Sequence, residues 1–392
     1  MFYSKDVRSI MNSKTIKHFY IYNFFSSFLL FLPVLLMIYN ERKITASDML
    51  LIEAFYYFTI FLFEVPTGFL GDKIGHDRLV IIGLVGTILS YVMFAVSFNL
   101  VMIILSQMLL GIFGSCISGS DHSSLYDYFE KYGEKNSAIY QDKIYRLSVI
   151  SMLTSYILSG VVLKLDASGT LTFLLTAATY FIAAVFYVLF VINKKDKINE
   201  KTEGIDSPAI KLELKSAIYI DKDVIICGTL IGIMSGSYVI SQIFYNNLKI
   251  DPYVIGVLYC AGNISTLILN KLKFKFSKVL MFIMPLIYLI TIIENKVAVI
   301  LFIFIVSLIN SKVRPFINNY VLTHSKDNKA YNMSLMSLVY NIINVILMVS
   351  LSRIINMFGY NNAIILITII TSILLVYIYF KSSEKYKLEI NG

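Results

Sequence analysis

Stretches of about twenty apolar residues recur along this chain, and that recurrence limits the fold more than any other feature. Crossing about 30 Å of hydrocarbon takes about 20 helical residues at about 1.5 Å each. Runs of that length occupy roughly 19–40, 46–70, 79–98, 100–125, 147–164 and 170–192, then 224–247, 252–270, 279–294, 297–322, 331–352 and 361–380. Apolar residues make up 57% of the chain and charged ones 15%, with a mean hydropathy of +0.73. A soluble domain carries about 25% charged residues, so the excess apolar surface needs lipid as its solvent. The alternating segments of a membrane β-barrel are missing, and backbone groups in lipid must then be satisfied within helices. The expectation is an all-α integral membrane protein of twelve transmembrane helices.

Lys and Arg set the orientation. With the N-terminus inside, about 26 of the 34 basic residues fall on the cytoplasmic side, among them Lys5, Arg8, Lys14, Lys17, Lys194, Lys211, Lys273 and Lys278. An even number of spans leaves both termini in the cytoplasm of a multi-pass protein of the cell membrane. The net charge of +9 does not imply nucleic acid, because the cations sit in short loops rather than on one face. Cys116, Cys227 and Cys260 lie inside apolar runs without metal-ligand spacing, as small packed hydrophobes do. A polar stretch, 193–222, divides the runs six and six, giving an N-terminal half (1–192), a cytoplasmic linker and a C-terminal half (223–392).

Between the second and third spans the chain reads Gly68-Phe-Leu-Gly-Asp72-Lys73-Ile-Gly75-His76-Asp77-Arg78. Small residues at 68 and 71 permit close helix approach, Gly75 permits a turn with positive φ, and Asp72 at a helix C-terminus needs a cationic partner. The loop resembles the signature of the major facilitator superfamily, Gly-x-x-x-Asp-(Arg/Lys)-x-Gly. With Glu64-Val-Pro66-Thr67-Gly68 and Ser118-Gly-Ser-Asp121…Leu125-Tyr-Asp127, it is similar to a bacterial subgroup of drug or multidrug exporters. The resemblance implies two six-helix halves, alternating access, and a charge cluster of Asp72, Lys73, Arg78 and Asp127. Three positions depart from the pattern. His76 and Asp77 stand where two cations are usual, Gln107-x-x-x-Gly111 replaces Arg-x-x-x-Gly, and Ser155–Leu165 holds Gly160 but no proline. A protonated His76 would restore one positive charge, so the expected latch is loose and pH-sensitive.

An ionisable side chain near a span's centre costs about 2.5–3.5 kcal/mol on insertion scales and is a functional candidate by default. Glu53 and Glu64 fall on one face of the second span, about 16 Å apart along the axis. In the fourth span Gln107, Gly111, Gly114, Ser118 and Asp121 step by four, three, four and three, one small polar face ending in an acid. Asn23, Ser26, Ser27 and a kinking Pro33 mark the first span, and Arg314 with Asn310 marks the tenth. Enzyme motifs such as His-Glu-x-x-His or a phosphate-binding glycine loop are lacking. The chain is therefore expected to be no enzyme and to use no cofactor. It is expected to act as a monomer that moves a small amphipathic compound, with protons as coupling ion. Proton-coupled efflux is the first reading, and nutrient import or uniport on the same fold is the second.

Overall fold

The computed structural model describes residues 14–131, 137–199, 222–271, 285–293, 295–324 and 329–381. Among them the structure is helical with no strand: α1 Lys14–Ser26, α2 Leu35–Glu41, α3 Ala46–Ile74, α4 His76–Val96, α5 Leu100–Ile117, α6 Ser120–Lys131, α7 Ser137–Leu165, α8 Thr170–Asn199, α9 Lys222–Asn247, α10 Pro252–Lys271, α11 Lys296–His324, α12 Lys329–Phe358 and α13 Tyr360–Lys381. Eight helices are long and apolar enough to cross a membrane, and Leu32–Glu41, Lys296–Ser311 and Tyr360–Val376 form shorter apolar helices. The run at 279–294 is described from residue 285 onward, as a 3-10 turn at Ile287–Ile292. Helix α8 continues through 193–199, into the stretch expected to be linker.

Local chemistry explains several boundaries. Thr45 caps α3 in a reciprocal box with Asp48, satisfying donors the helix start leaves free. Asn99 caps α5 by accepting from Met102 N–H at 2.9 Å. On α4, Ile82, Val85, Leu89, Val92 and Val96 are exposed at helical spacing. The opposite face buries Leu79, Gly83, Leu84, Gly86, Ser90 and Phe94. A helix apolar on both faces, with the smaller and more polar residues turned inward, is built for a lipid solvent.

The first apolar run is not one kinked helix. It breaks after Ser26, well before Pro33, and resumes as a 3-10 turn at Leu32–Val34 followed by α2. Ser26 Oγ donates to Asn23 O, a local bond that competes with helical continuation. The freed backbone is satisfied from α9: Leu32 O accepts from Tyr238 Oη at 2.5 Å and Gln242 Nε2 at 3.2 Å, and Leu36 N donates to Gln242 Oε1 at 3.1 Å. Non-helical backbone at membrane depth survives only where protein covers it in this way.

Those contacts reveal an internal repeat. Tyr39-Asn40-Glu41-Arg42-Lys43-Ile44 and Tyr245-Asn246-Asn247-Leu248-Lys249-Ile250 share Tyr-Asn-x-x-Lys-Ile. Both lysines have positive φ, 61° and 50°, and the same pattern of backbone bonds closes both helix ends. Asn40 Nδ2 donates to Asn246 Oδ1 at 2.7 Å, so equivalent residues of the two segments meet.

The two sets of helices join at the end away from Gly68–Arg78. One core cluster there mixes Tyr39, Ile44, Met49 and Leu50 with Val239, Ile240, Ile243, Leu347 and Leu351. Lys164 pairs with Asp251 at 2.9 Å, and Ser47 Oγ donates to Ser352 O at 2.8 Å. Helix α3 packs along α12 and α7 along α10. Toward the signature loop, a separate aromatic cluster of Phe19, Tyr22, Tyr128, Phe129, Tyr140, Tyr187 and Phe190 contains only residues preceding 200.

Candidate functional site

A cavity of about 210 Å³ lies between the two sets of helices, lined by Tyr57 from α3, Ile231, Met234, Ser235, Ser237 and Tyr238 from α9, Asn310 from α11 and Tyr340 from α12. Tyr57 and Tyr340 meet edge to face with centroids 5.8 Å apart. Glu53 lies one turn along α3 from Tyr57, within electrostatic reach of the Tyr57 and Tyr238 hydroxyls. Gln107 Nε2 donates to Glu53 Oε1 at 3.4 Å. The glutamine at the position where the resemblance has arginine thus gives Glu53 a neutral partner.

Glu64, eleven residues further along α3 than Glu53, serves a different neighbour. Its Oε2 accepts from Asn341 Nδ2 of α12 at 3.2 Å, bridging the two sets of helices.

The expected stripe on the fourth span is broken. Helix α5 ends at Ile117, Ser118 turns out of helical geometry, and Gly119 takes φ 78°. Asp121 therefore belongs to α6, off the regular stepping from Gln107. It accepts from Tyr22 Oη at 3.1 Å and from His122 N–H at 2.7 Å. Asn23, which accepts from Ser148 Oγ at 2.6 Å, lines an open hollow of about 410 Å³ with His122, Gln141, Ile144, Tyr145 and Ser148. Arg314 lies on α11, and its side chain, like those of Lys312, Asn318 and Asn319, falls outside the described residues.

The signature loop departs from its expected wiring. Gly75 does turn with φ 92°. Gly68, however, has open space around it, while Gly71 makes room for the His76 ring and for Leu79, both in the first turn of the neighbouring helix α4. His76 lies 3.6 Å from Asp72 Oδ1 and 3.4 Å from Ser120 Oγ. Lys73, Arg78 and Asp127 are exposed, and no ion pair joins the three among the described residues. Asp77, which stands where a cation is usual, is held: Lys194 Nζ donates to its two oxygens at 3.1 and 3.2 Å, and Ser124 Oγ donates to it as well. Lys194 is 5% exposed, and its ammonium also reaches Ser124 O at 3.0 Å.

Sequence reading missed Lys194, which it had counted among inner-side cations, and the α9 residues Tyr238 and Gln242. Ser235, Ser237, Ser241 and Gln242 interrupt the apolar run 224–247, a signal that was present. Among the described residues no group of His, Cys, Asp and Glu could hold a metal ion.

Comparison with known proteins agrees with this arrangement. The family model described as Major Facilitator Superfamily matches residues 19–322. A crystal structure of nucleoside transporter NupG superposes with TM-score 0.71 at 9% identity, covering 95% of this chain and 100% of that one. A POT family transporter in complex with thioalcohol conjugated peptide superposes with TM-score 0.68 at 14% identity, covering 96% of each chain. A POT family transporter in complex with 5-aminolevulinic acid gives 0.65 at 15% identity, over 93% of this chain and 95% of that one. These likenesses establish the fold. No curated protein sequence matches the chain.

Proposed function

Because the chain belongs to the Major Facilitator Superfamily, and so is a multi-pass transporter rather than an enzyme, we propose that it exports a small amphipathic compound across the cell membrane by alternating access, driven by protons. Acting as a monomer, its two six-helix halves, 1–192 and 223–392, joined by a cytoplasmic linker, rock about the central cavity, with both termini inside. The observation that carries the reading is the placement of the cavity. It lies between helices of both halves, which share a core at the end away from Gly68–Arg78 and are bridged nearer that loop by Glu64 and Asn341. Tyrosine faces, Met234 and Ile231 suit an apolar body, while Ser235, Ser237 and Asn310 offer a few directional polar contacts.

Glu53 is the first candidate for the coupling proton. A carboxylate without a cationic partner in a span is costly to keep charged, and its neutral bond to Gln107 survives protonation. Asp121, which accepts from Tyr22 Oη, is the second candidate.

Uptake or uniport is the alternative reading, favoured by Gln107 in place of arginine and by the absence of proline from Ser155–Leu165. Substrate addition to energised everted vesicles tests the choice. Proton release from the lumen on adding substrate supports coupled export, whereas substrate movement without proton flux supports the alternative. Unchanged transport and unchanged pH dependence in both Glu53→Gln and Asp121→Asn would remove the coupling assignment.

A further inference from the structure

Asn341 carries a buried acceptor that nothing satisfies. The residue is 1% exposed, and its Oδ1 has no hydrogen-bond partner, although its Nδ2 donates to Glu64 Oε2 at 3.2 Å. A buried amide oxygen left unpaired beside a carboxylate is doubly unfavourable, through lost solvation and through repulsion between two acceptors. A neutral carboxyl removes both problems. Its O–H donates to the amide oxygen while its carbonyl accepts from the amide N–H, so the acid and the amide close a two-bond ring.

We infer that Glu64 and Asn341 form a proton site that ties the two halves together when occupied. Binding one proton to the Glu64 carboxylate gives the orphaned Oδ1 its donor and stabilises the conformer in which α3 and α12 lie together at this level. Loss of the proton leaves Oδ1 unpaired and favours separation. The described groups facing Glu64 are all neutral. They are Ser337 and Asn341 on α12 and, on its own helix, Thr67, whose Oγ1 donates to the Glu64 carbonyl and to Ser115 O of α5. Among the described residues no charged side chain interacts with it, so the proton count at this pair is set by the pair.

The site rests on the transport reading but is distinct from the Glu53–Gln107 pair, which lies within one half. Leaving Oδ1 unpaired shifts a two-state population by roughly fivefold to a hundredfold. The test is electron-spin distance measurement between labels at Lys43→Cys and Lys249→Cys, in protein reconstituted at about pH 5 and about pH 9. The wild-type side chains should give a short-distance population that falls on raising the pH. Glu64→Gln, whose amide can close the same ring without a titrating proton, should hold the short distance at both pH values. Asn341→Leu should lose the pH response. Retention of the full pH response in Glu64→Gln overturns the inference. A single distance in every variant under every condition overturns the alternating-access reading itself.

Discussion

Two glycines set how closely the halves approach, and replacing one of them tests the geometry in numbers. At the joined end α7 and α10 meet reciprocally. A Cβ on Gly256 would strike the carbonyl oxygen of Tyr156, with its carbon 3.1 Å away. A Cβ on Gly160 would lie 2.5 Å from Tyr253 N and 2.7 Å from the Pro252 carbonyl carbon. These obstacles are backbone, which cannot swing aside like the end of a flexible side chain. Overpacking of this kind costs about 1–3 kcal/mol. The gain of about 1 kcal/mol in helix propensity on replacing glycine is common to both conformers and cancels between them. Gly256→Ala should thus disfavour the conformer joined at this end by roughly fivefold to a hundredfold, since about 1.4 kcal/mol is a factor of ten. Gly160→Ala should act the same way. Gly114→Ala is the control, because nothing lies within 4 Å of its added Cβ. Distance distributions between labels at Lys43→Cys and Lys249→Cys report the result. Equal distributions in Gly256→Ala and Gly114→Ala would refute the reasoning, as would a shift toward shorter distance.

Other perturbations follow from the same contacts. Lys194→Met strands Asp77 half-buried with Ser124 alone, and should lower stability by about 1–3 kcal/mol, discounted from a fully buried pair because Asp77 stays partly exposed; adding Asp77→Asn should recover part of the loss in thermal melts. Arg42 donates to Phe94 O and Ser97 O at 2.6 Å and to Ser168 O at 2.7 Å, with its guanidinium 4.8 Å from the Phe98 ring centroid. Arg42→Lys, lacking the planar fork, should fall short of wild type by about 1–3 kcal/mol in detergent unfolding. In the turn after α7, burial pushes the Asp166 carboxyl up, but bonds from Leu171 N–H and from Ser168 outweigh it and hold the group below its ordinary value of 3.8. A depressed carboxyl contributes stability that is complete above that value and is lost as pH falls below it. Acid melts should therefore show this loss in the wild type and not in Asp166→Asn.

Much of the architecture was legible because lipid enforces a simple rule: backbone polar groups must be paired within the helix, so each crossing writes a long apolar run. The loop glycine at 75 was equally legible, since its positive φ has few alternatives. What sequence spacing could not supply was partnership across the bundle. The partner of Asp77 was not legible, because its cation, Lys194, lies more than a hundred positions away and sits on the extension of α8 past the apolar run. The stepping from Gln107 to Asp121 assumed a continuous helix, and the turn at Ser118–Gly119 removes that continuity. The break after Ser26 went unread because a polar side chain bonding its own backbone leaves little trace in hydropathy. The repeat of Tyr-Asn-x-x-Lys-Ile was readable throughout, but its meaning emerges only where Asn40 meets Asn246.

The central claim is that the cavity at Tyr57, Tyr238 and Tyr340 opens to one side of the membrane at a time. Ser237→Cys, in protein with Cys116, Cys227 and Cys260 replaced by serine or alanine, places one thiol on the cavity wall. A membrane-impermeant maleimide applied to sealed, oriented vesicles should label it from the signature-loop side in the conformer described, and Gly256→Ala should move labelling to the opposite side. Labelling from both sides at equal rate in both backgrounds, or from neither, would contradict the account.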